Sequence, residues 1–459
     1  MTISADCARA RNEVENASNV AGEVADGAVN LGNRDFHGAN ISSARTRAAH
    51  RPTERKAMLN REDAAPMAAT AIEVCASIND VAAATWNTLA GDDPFMQHAF
   101  LNTLHETGCA CDDTGWTPQY LLLREHGALT GALPLYVKMH SYGEYVFDWA
   151  WADAYQRSGL RYYPKLLNAV PFTPVGGRRV LADTAPRRAL LIEAALQLAR
   201  DSGVSSLHSL FPPPDQAAAM QDAGMLLRHG VQFHWNNASS GAGYADFEQF
   251  LASLNHVKRK KIRQERRRVH DAGIRFEWLA GPDISDDLWV FFNRCYRETY
   301  RLHHSTPYLN LDFFRAIGRL MPQNILLVVA RREGRAIAAS LNIHTGRTLF
   351  GRYWGALEYH PALHFETCYY QVIEWCIARG IATFEGGAQG EHKMARGLLP
   401  VETSSAHWLA HPRFAAAVEE FLARERDSVS AHIDELSERN PYRRSAPAEN
   451  ETPRNETDG

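Results

Sequence analysis

The stretch QNILLVVARREGRAIAASLNIHTGRTLFGRYWGA, residues 323–356, has the pattern of three consecutive β-strands. An apolar run leads to a charged turn at Gly334. A run of small and apolar residues then leads to a turn at Gly346, and an aromatic run ends at Trp354. Apolar runs separated by short turns that contain glycine are typical of antiparallel hairpins. We therefore predict a three-stranded meander here.

The same pattern occurs a second time, in PQYLLLREHGALTGALPLYVKMHSYGEYVFDWAWA, residues 118–152. The turns of this copy fall at Gly127 and Gly143, and its aromatic run ends at Trp149. A pattern that returns at long range indicates a duplicated structural unit. We therefore predict a second meander, whose third strand carries Asp148 among aromatic residues.

Each meander is followed by an amphipathic helix and a strand. When Gly203 is set on Gly380, the apolar positions of both helices coincide at a spacing of i, i+3, i+4 and i+7, which makes one helix face apolar. We predict that each glycine ends its helix. The alignment sets His208 opposite Glu385 and leaves residues 153–184 as an insertion in the first copy. The aligned apolar positions are Ile192, Ala195, Leu196 and Ala199 in the first copy and Tyr369, Val372, Ile373 and Cys376 in the second.

The composition narrows the class of protein. A chain of 459 residues exceeds one ordinary hydrophobic core, so we expect two domains or two fused half-domains. The formal net charge of -4 argues against a dedicated nucleic-acid binder and against sequence-specific DNA recognition. Seven scattered cysteines favour a reduced, cytoplasmic compartment, and no stretch approaches the roughly 18 apolar residues of a membrane span. Residues 1–66 and 438–459 are polar without periodicity, so we predict that both are disordered.

The order of helix, three-strand meander, helix and strand resembles the half-fold of the GNAT (Gcn5-related N-acyltransferase) superfamily. Two such halves in tandem resemble the Fem-type aminoacyl transferases that build peptidoglycan bridges. The chain resembles the bacterial FemAB-like N-acyltransferases more closely still. That resemblance lies in HSYGEYVFDWAWADAY (residues 140–155), YYPKLLNAVPFTPVGGRRVL (residues 162–181) and GAQGEHKMARGLLP (residues 387–400).

The resemblance implies an α/β fold of two GNAT-like halves, residues 67–240 and 241–437, each a mixed, mostly antiparallel sheet with flanking helices. It implies a transferase that moves an acyl or aminoacyl group to a primary amine of a small molecule by direct attack. The donor is then acyl-CoA or aminoacyl-tRNA, used as a co-substrate, and no tightly bound cofactor is expected. The pair His360 and His364 lacks a third ligand, so we predict no metal site.

A strongly basic segment, HVKRKKIRQERRRVH, occupies residues 256–270. Like charges at i, i+4 spacing repel one another, so a helix with eight cations and a single acid is expected to meet a polyanion. Fem-type transferases also carry a basic helix near the junction of their halves, where it is linked to phosphate binding. The alternative is a solvated helix face. The predicted phosphate contacts in this segment are Lys258, Arg259, Lys261 and Arg263.

The segment VPFTPVGGRRVL, residues 170–181, is a second candidate for phosphate binding. Gly176 and Gly177 let backbone N–H groups approach an anion, and Arg178 supplies a charged donor. In the GNAT fold the pyrophosphate of CoA binds at this topological place. The glycine signature usual there is missing, however, and the alternative is an ordinary Gly-Gly turn.

A third candidate site centres on Asp148, which lies between Phe147 and Trp149. A carboxylate among aromatic residues in a strand is costly to bury unless it is paired. We therefore predict that Asp148 holds a substrate ammonium, with Trp149 and Lys165 in the same substrate-binding set. The alternative is an aspartate satisfied by backbone donors at a strand end.

The stretch FEGGAQGEHKMARGLLP, residues 384–400, is the candidate catalytic segment. Acyl transfer to an amine needs a base for the amine proton, donors for the developing oxyanion and a grip on the acyl donor. We predict that Glu385, Glu391 or His392 takes the proton and that the two glycines after Glu385 expose N–H groups. The alternative is a strand end followed by a capped helix. The other residues predicted to bind donor or acceptor are His208, Arg352, Tyr353, Lys393 and Arg396.

A function of another class also fits the sequence. In this alternative the chain is a non-catalytic protein with a GNAT-like fold, and its basic segment grips RNA, a nucleotide or anionic lipid. The missing GNAT phosphate signature favours the binding protein. The concentration of protic residues after Phe384 favours the enzyme.

Overall fold

The structure is a computed structural model that describes residues 70–237, 243–388 and 390–443. The predicted disorder of residues 1–66, and that of the tail after residue 443, falls outside the described residues. The predicted boundary between the halves, at residue 240, also falls outside them. Within the described ranges, no helix is both long and apolar enough to cross a membrane.

The described ranges contain twelve α-helices. A π-helical segment, Glu366–Tyr370, joins α10 to α11. The basic segment forms helix α7, which begins after Asn255, whose side chain accepts a hydrogen bond from the backbone N–H of Lys258. The helices are α1 Ala83–Ala90, α2 His98–Glu106, α3 Trp149–Arg157, α4 Ala185–Asp201, α5 Pro214–Asp222, α6 Phe247–Ser253, α7 His256–Asp271, α8 Asp286–Leu302, α9 Leu311–Leu320, α10 Leu363–Phe365, α11 Gln371–Arg379 and α12 Pro412–Glu438.

Fifteen strands form two sheets. The small sheet has the order β1-β3-β4-β7, and the large sheet has the order β10-β11-β12-β13-β14-β9-β15-β8-β6-β5-β2. The strands are β1 Thr70–Cys75, β2 Trp116–Pro118, β3 Tyr120–Glu125, β4 Ala128–Leu133, β5 Tyr136–Lys138, β6 Lys165–Asn168, β7 Leu181–Ala182, β8 Ser206–Leu210, β9 Leu226–Asn236, β10 Ile274–Ala280, β11 Ile325–Arg332, β12 Arg335–His344, β13 Thr348–Ala356, β14 Thr383–Ala388 and β15 Leu399–Leu409.

The two halves exchange their last strands at the centre of the large sheet. Strand β9 of the first half lies between β14 and β15, which both belong to the second half. Strand β15 in turn lies between β9 and β8, which both belong to the first half. Strands of the mostly antiparallel sheets predicted for the two halves are therefore joined in one shared sheet. The antiparallel β9–β15 pair, from Leu226 opposite His407 to His234 opposite Leu399, joins the halves.

The meander predicted for residues 323–356 is confirmed as β11, β12 and β13. The meander predicted for residues 118–152 is confirmed only for β3 and β4. The aromatic third strand predicted to end at Trp149 is wrong, because Trp149 begins helix α3. Strand β6, from the insertion, takes the corresponding place: it runs parallel to β8 as β13 runs parallel to β14. The period-2 aromatic pattern was a poor guide here because Tyr145 and Phe147 lie in an irregular segment and only Trp149 enters the helix.

The helix and strand that follow each meander are confirmed. All eight aligned apolar positions are buried: four lie in α4, three lie in α11, and Tyr369 lies in the π-helical segment before α11. Gly203 and Gly380 follow them with φ angles of 61° and 65°, which are left-handed values that favour glycine. Strands β8 and β14 then occupy equivalent places in the sheet. The duplication predicted from the sequence is therefore present in the structure.

The largest hydrophobic core contains residues of both halves. The ring of Phe95 meets that of Phe350 at a centroid distance of 5.0 Å, and the ring of Phe100 meets that of Phe313 at 5.7 Å. Residues 438–443 of the predicted disordered tail lie in the described part of the chain and have defined contacts. Helix α12 extends to Glu438, and the Tyr442 hydroxyl donates to the carbonyl of Gly397 (2.7 Å).

Two buried histidines on neighbouring strands of the two halves predict that the free energy of unfolding depends on pH. His208 on β8 faces His407 on β15, and both are fully buried. Burial lowers the pKa of His208 to about 3 and also lowers that of His407. Below a pH of about 6.5 the unfolded chain binds these protons while the folded chain does not, so folding stability falls as the pH drops from about 6.5 toward 3.

Urea unfolding at several pH values measures this effect. We expect each histidine to contribute a slope of up to about 1.4 kcal/mol per pH unit. The variant H407Q should be less stable at pH 7 but should lose less stability between pH 6.5 and 4 than the wild-type protein. The variant H270Q, at an exposed histidine, should behave like the wild type. Equal slopes in H407Q and the wild type would contradict the prediction.

Candidate active site

Glu385 lies on β14, beside the bulge in the pairing between β14 and β9. It faces the segment Phe172–Arg179 of the first half, which we name the Gly-Gly loop. The backbone N–H of Gly176 donates to the Glu385 carboxyl. Oε2 of Glu385 is buried and has no hydrogen-bond partner among the described residues. Burial is the main cause that raises the pKa of Glu385 to about 7, and the nearby Asp93 carboxyl adds to it.

The Gly-Gly loop is held by its own arginine. The guanidinium of Arg179 is buried and donates to the carbonyls of Val175 (2.5 Å), Gly177 (3.0 Å) and Leu210 (2.6 Å). A Cβ atom on Gly177 would lie 2.8 Å from Oδ2 of Asp93, so a larger residue there would displace the carboxyl. The loop therefore has one defined path past Glu385.

The structure supports the predicted phosphate contact of Gly176 better than that of Arg178. Gly176 is exposed, and nothing lies within 4 Å of a Cβ atom built on it, so a ligand can approach its backbone. The predicted role of Arg178 is not supported by its contacts, because its guanidinium donates to the carbonyl of Ala90 at the end of α1. Carbonyl groups at the C-terminus of a helix carry partial negative charge, so the Ala90 carbonyl can satisfy the Arg178 cation in place of a phosphate.

Arg352 and Tyr353 reach the same loop from β13. The pairing between β12 and β13 has a bulge at this point, which brings both side chains to one face. Nη2 of Arg352 and the hydroxyl of Tyr353 both donate to the carbonyl of Phe172, each at 3.0 Å. Phe172 has a φ of 58°, a strained value for an aromatic residue. Nε of Arg352 is buried without a partner in the described part of the chain.

His234 is a site residue that the sequence analysis missed. It lies on β9 directly opposite Glu385, and its Nε2 is 3.2 Å from Oε1 of Gln232. Burial lowers the pKa of His234 to about 4, and the Lys393 charge adds to this effect. The imidazole is therefore neutral near pH 7. The sequence contained one signal for it. The strings QFHW around His234 and SAHW around His407 both place a histidine directly before a tryptophan.

The equivalent position in the first half is closed by a network of buried charges. Nζ of Lys165 donates to Oε2 of Glu144 (2.8 Å), to Oγ of Ser141 (2.8 Å) and to Asp148. Asp148 also accepts from the hydroxyl of Tyr162 (2.6 Å). Asp148 is thus paired with a cation, as predicted, but the cation is the protein's own lysine. The predicted substrate-binding role of Asp148 and Lys165 is not supported by these contacts.

His208 and Trp149 do not reach the Glu385 site either. His208 shares a hydrogen bond of 2.7 Å with His407, between their Nδ1 atoms, and its Nε2 is 2.8 Å from Oγ of Ser206. Trp149 packs against the ring of Tyr142 at a centroid distance of 4.9 Å. Both residues belong to the first half's buried network or its rim.

The segment after β14 forms a short 3-10 helix, Glu391–Arg396, which separates the residues predicted there. Glu391 is exposed and pairs with Arg439 (3.0 Å), so the structure directs it away from Glu385. His392 lies 3.3 Å from the hydroxyl of Tyr369. Lys393 is buried, and its Nζ donates to the carbonyl of Gly387 (3.4 Å). Lys393 therefore stays near the bulge, whereas Glu391 does not.

Arg396 joins this segment to the basic helix α7. Its guanidinium pairs with Glu265 (3.0 Å) and covers the ring of Phe365 at 3.6 Å. On the same helix, Arg266 pairs with Glu366 (3.1 Å) and Glu374 (2.7 Å). The predicted ligand contact of Arg396 is therefore taken by Glu265, and these ion pairs fix α7 on the second half.

The outer face of α7 keeps exposed cations. Arg263 pairs with Glu248 (2.5 Å), and Nζ of Lys261 lies 4.0 Å from Glu265, so two of the four predicted phosphate contacts have acidic neighbours. The remaining cations form no ion pair with any residue in the described ranges. They are Lys258, Arg259, Lys260, Arg267 and Arg268.

The comparison with protein families shows which family this chain belongs to. A family model for FemAB-like proteins, described as peptidoglycan biosynthesis/recognition, matches residues 77–444. The chain belongs to the FemAB-like family. The predicted tandem GNAT-like α/β fold and the predicted transferase class are thereby confirmed. A comparison with curated proteins found no match.

Three solved structures illustrate the wider likeness. FemX is 11% identical with a TM-score of 0.47, and the match covers 76% of this chain and 100% of FemX. The DUF2156 domain of a putative lysylphosphatidylglycerol synthetase from Agrobacterium fabrum is 12% identical (TM-score 0.46; coverage 74% and 95%). A tandem GNAT protein of the clavulanic acid biosynthesis pathway is 13% identical with a TM-score of 0.40, and the match covers 75% of this chain and 99% of that protein.

The FemAB-like chain has two sites with opposite character. In the first half the buried charges neutralise each other. In the second half Glu385 and Arg352 each keep a buried polar atom without a partner among the described residues, as the second carboxylate oxygens of Glu144 and Asp148 also do in the first half. No group of three potential metal ligands occurs in the described ranges. The second half therefore holds the arrangement suited to acid–base chemistry on a bound amine.

The charge network predicts a large stability loss when Lys165 is removed. The variant K165M leaves Glu144 and Asp148 buried without their cation, which typically costs about 3–5 kcal/mol. Urea unfolding measures the loss, and the triple variant E144Q/D148N/K165M should recover part of it. The variant K260M, at an exposed lysine, should change stability by less than about 0.5 kcal/mol. A K165M variant as stable as K260M would contradict the structural role.

Proposed function

We propose that this transferase moves an acyl or aminoacyl group onto a primary amine, with Glu385 as the general base. The observation that carries the proposal is the buried, unpartnered Oε2 of Glu385 beside the exposed backbone of Gly176. In GNAT-like folds the strand equivalent to β14 borders the cleft of the acyl donor. A carboxylate at this place can meet an amine that attacks the donor.

The pKa of Glu385 suits this role. A primary amine is protonated near neutral pH and attacks only after it loses a proton. A base whose pKa is about 7 is partly ionised at that pH and still accepts protons well. Neither Glu391, which is paired with Arg439, nor His392, beside Tyr369, has such a position next to the Gly-Gly loop.

The reaction balances without a metal or a covalent enzyme intermediate. The amine nitrogen bonds to the acyl carbon, and the bond from that carbon to the donor's sulfur or ester oxygen breaks. The amine proton passes to Glu385 and then to the leaving group. We assign the oxyanion to the N–H groups of Gly386 and Gly387, which lie in the bulge between β14 and β9.

The donor carries phosphates, as acyl-CoA and aminoacyl-tRNA both do. The cations of α7 that form no ion pair in the described ranges support this choice, because a polyanion compensates several charges of one sign on one helix. The family's link to peptidoglycan favours aminoacyl-tRNA as donor and an amine of a peptidoglycan precursor as acceptor.

The variant E385Q tests the catalytic role. We expect it to lose about 10²- to 10⁴-fold in kcat/KM, because an amide does not accept the amine proton. Mass spectrometry of the acylated product, with acyl-CoA and charged tRNA as donors, measures the loss. The variant E402Q removes an exposed carboxyl on β15 and should keep full activity.

Two outcomes would decide against this proposal. Turnover by E385Q equal to that of E402Q would remove Glu385 as the base. If no acyl group moves, and charged and uncharged tRNA bind equally well, the chain is the binding protein of the alternative prediction.

The pH profile gives an independent prediction. The ionised form of Glu385 is the active base, so kcat/KM should rise as the pH increases through about 7 and then level off. The variant D93N removes a carboxyl that raises the pKa of Glu385, so its rising limb should move to lower pH. The control E402Q should keep the wild-type profile, and an unshifted limb in D93N would contradict the assignment.

A further inference from the structure

Two buried polar atoms of opposite kind remain unsatisfied around the Gly-Gly loop. Nε of Arg352 is a cationic donor, and Oε2 of Glu385 is an acceptor. Buried polar atoms are nearly always hydrogen-bonded, and each exception needs an explanation. Because these two unsatisfied atoms belong to residues on the neighbouring parallel strands β13 and β14, one explanation should account for both.

The two side chains are close enough to influence each other but do not pair. The Arg352 charge lowers the pKa of Glu385, against the larger effect of burial. Nevertheless, no ion pair joins them within the part of the chain that the structure describes. The pattern is unusual for this protein, because buried carboxylates elsewhere, such as Asp148 and Glu366, pair with a cation.

The Gly-Gly loop keeps the two charges apart. The carbonyl of Phe172 accepts from Nη2 of Arg352, and the N–H of Gly176 donates to Glu385. The strained φ of Phe172 and the bulge at Arg352 both serve this arrangement. Strain of this kind clusters at ligand-binding sites, where the surrounding structure has to maintain it.

We propose that Arg352 and Glu385 together bind an acceptor that carries an anionic oxygen beside its amine, which is the chemistry of an amino acid or of a peptide with a free carboxylate. The carboxylate meets Nε of Arg352, and the amine meets Oε2 of Glu385. The inference rests on the proposed function, because it takes Glu385 as the residue that meets the amine. It adds the substrate class and makes Arg352 a specificity-determining residue.

The first half supplies a matched contrast. There the ammonium of Lys165 lies between two carboxylates, whereas in the second half the buried ammonium of Lys393 donates to the carbonyl of Gly387. Aromatic rings surround the Arg352 end of the site: Phe172 stacks on Tyr308 at a centroid distance of 4.9 Å, and Tyr145 lies near Tyr308, Tyr353 and Arg352.

Binding of matched compounds tests the inference without a donor. The probes are L-lysine, L-phenylalanine and L-alanine, each compared with its methyl ester and with its decarboxylated amine. Isothermal titration calorimetry with the full chain should show at least one amino acid binding tenfold or more tightly than its ester and its amine. The variant R352Q should abolish that preference, while R347Q, at an exposed arginine of the same hairpin, should retain it.

Transfer assays then separate the two proposals. If the wild type acylates amino acids and their decarboxylated amines with equal kcat/KM, the carboxylate inference fails and the transferase proposal stands. If amino acids bind through Arg352 but no donor acylates them, the acceptor class stands and the transferase proposal fails. If inorganic phosphate binds in an Arg352-dependent way and amino acids do not, Arg352 belongs to the donor site and the inference is overturned.

Discussion

The antiparallel pairing of β9 with β15 is the constraint on which the rest of this structure depends. Each strand is the last one of its half, and each is inserted into the sheet of the other half. Neither half can complete its hydrogen-bonded ladder alone, because an unpaired strand edge leaves backbone donors and acceptors without partners. The exchange also sets His234 opposite Glu385 and His407 opposite His208.

These two cross-strand pairs show how a duplicated structure has diverged. In the first half, Lys165 lies between Glu144 and Asp148 with no solvent contact, so the position is neutralised from within. A buried ion pair of this kind is costly to break and therefore fixes the packing. In the second half, Oε2 of Glu385 is buried without a hydrogen-bond partner among the described residues. The first half contributes the Gly-Gly loop to the second half's site instead of keeping a site of its own.

The arginines show why charge alone is a poor guide to ligand contacts. Arg178, Arg179 and Arg396 satisfy carbonyls or a carboxylate of the chain itself. Arg352 and Arg396 nevertheless each keep a buried Nε without a partner among the described residues. A guanidinium has five donors in a rigid fork, so it can hold a loop in place and still present one N–H group to a ligand. On the basic helix, Arg266 pairs with glutamates, whereas Lys260, Arg267 and Arg268 are exposed.

The sequence by itself determined the duplication, the meander at residues 323–356 and the two helices that end at glycines. It also determined that His208 and Glu385 occupy equivalent positions in the two halves. Apolar periodicity and glycine caps act over a few residues, so they can be recognised from the order of residues alone. Only the tertiary structure decided that β9 and β15 are exchanged, that β6 replaces the aromatic strand, and that Lys165 closes one site while Arg352 and Glu385 stay unpaired at the other. Each of these outcomes depends on which distant side chains reach one another, because a charge is a structural partner or a ligand contact according to what the fold places beside it.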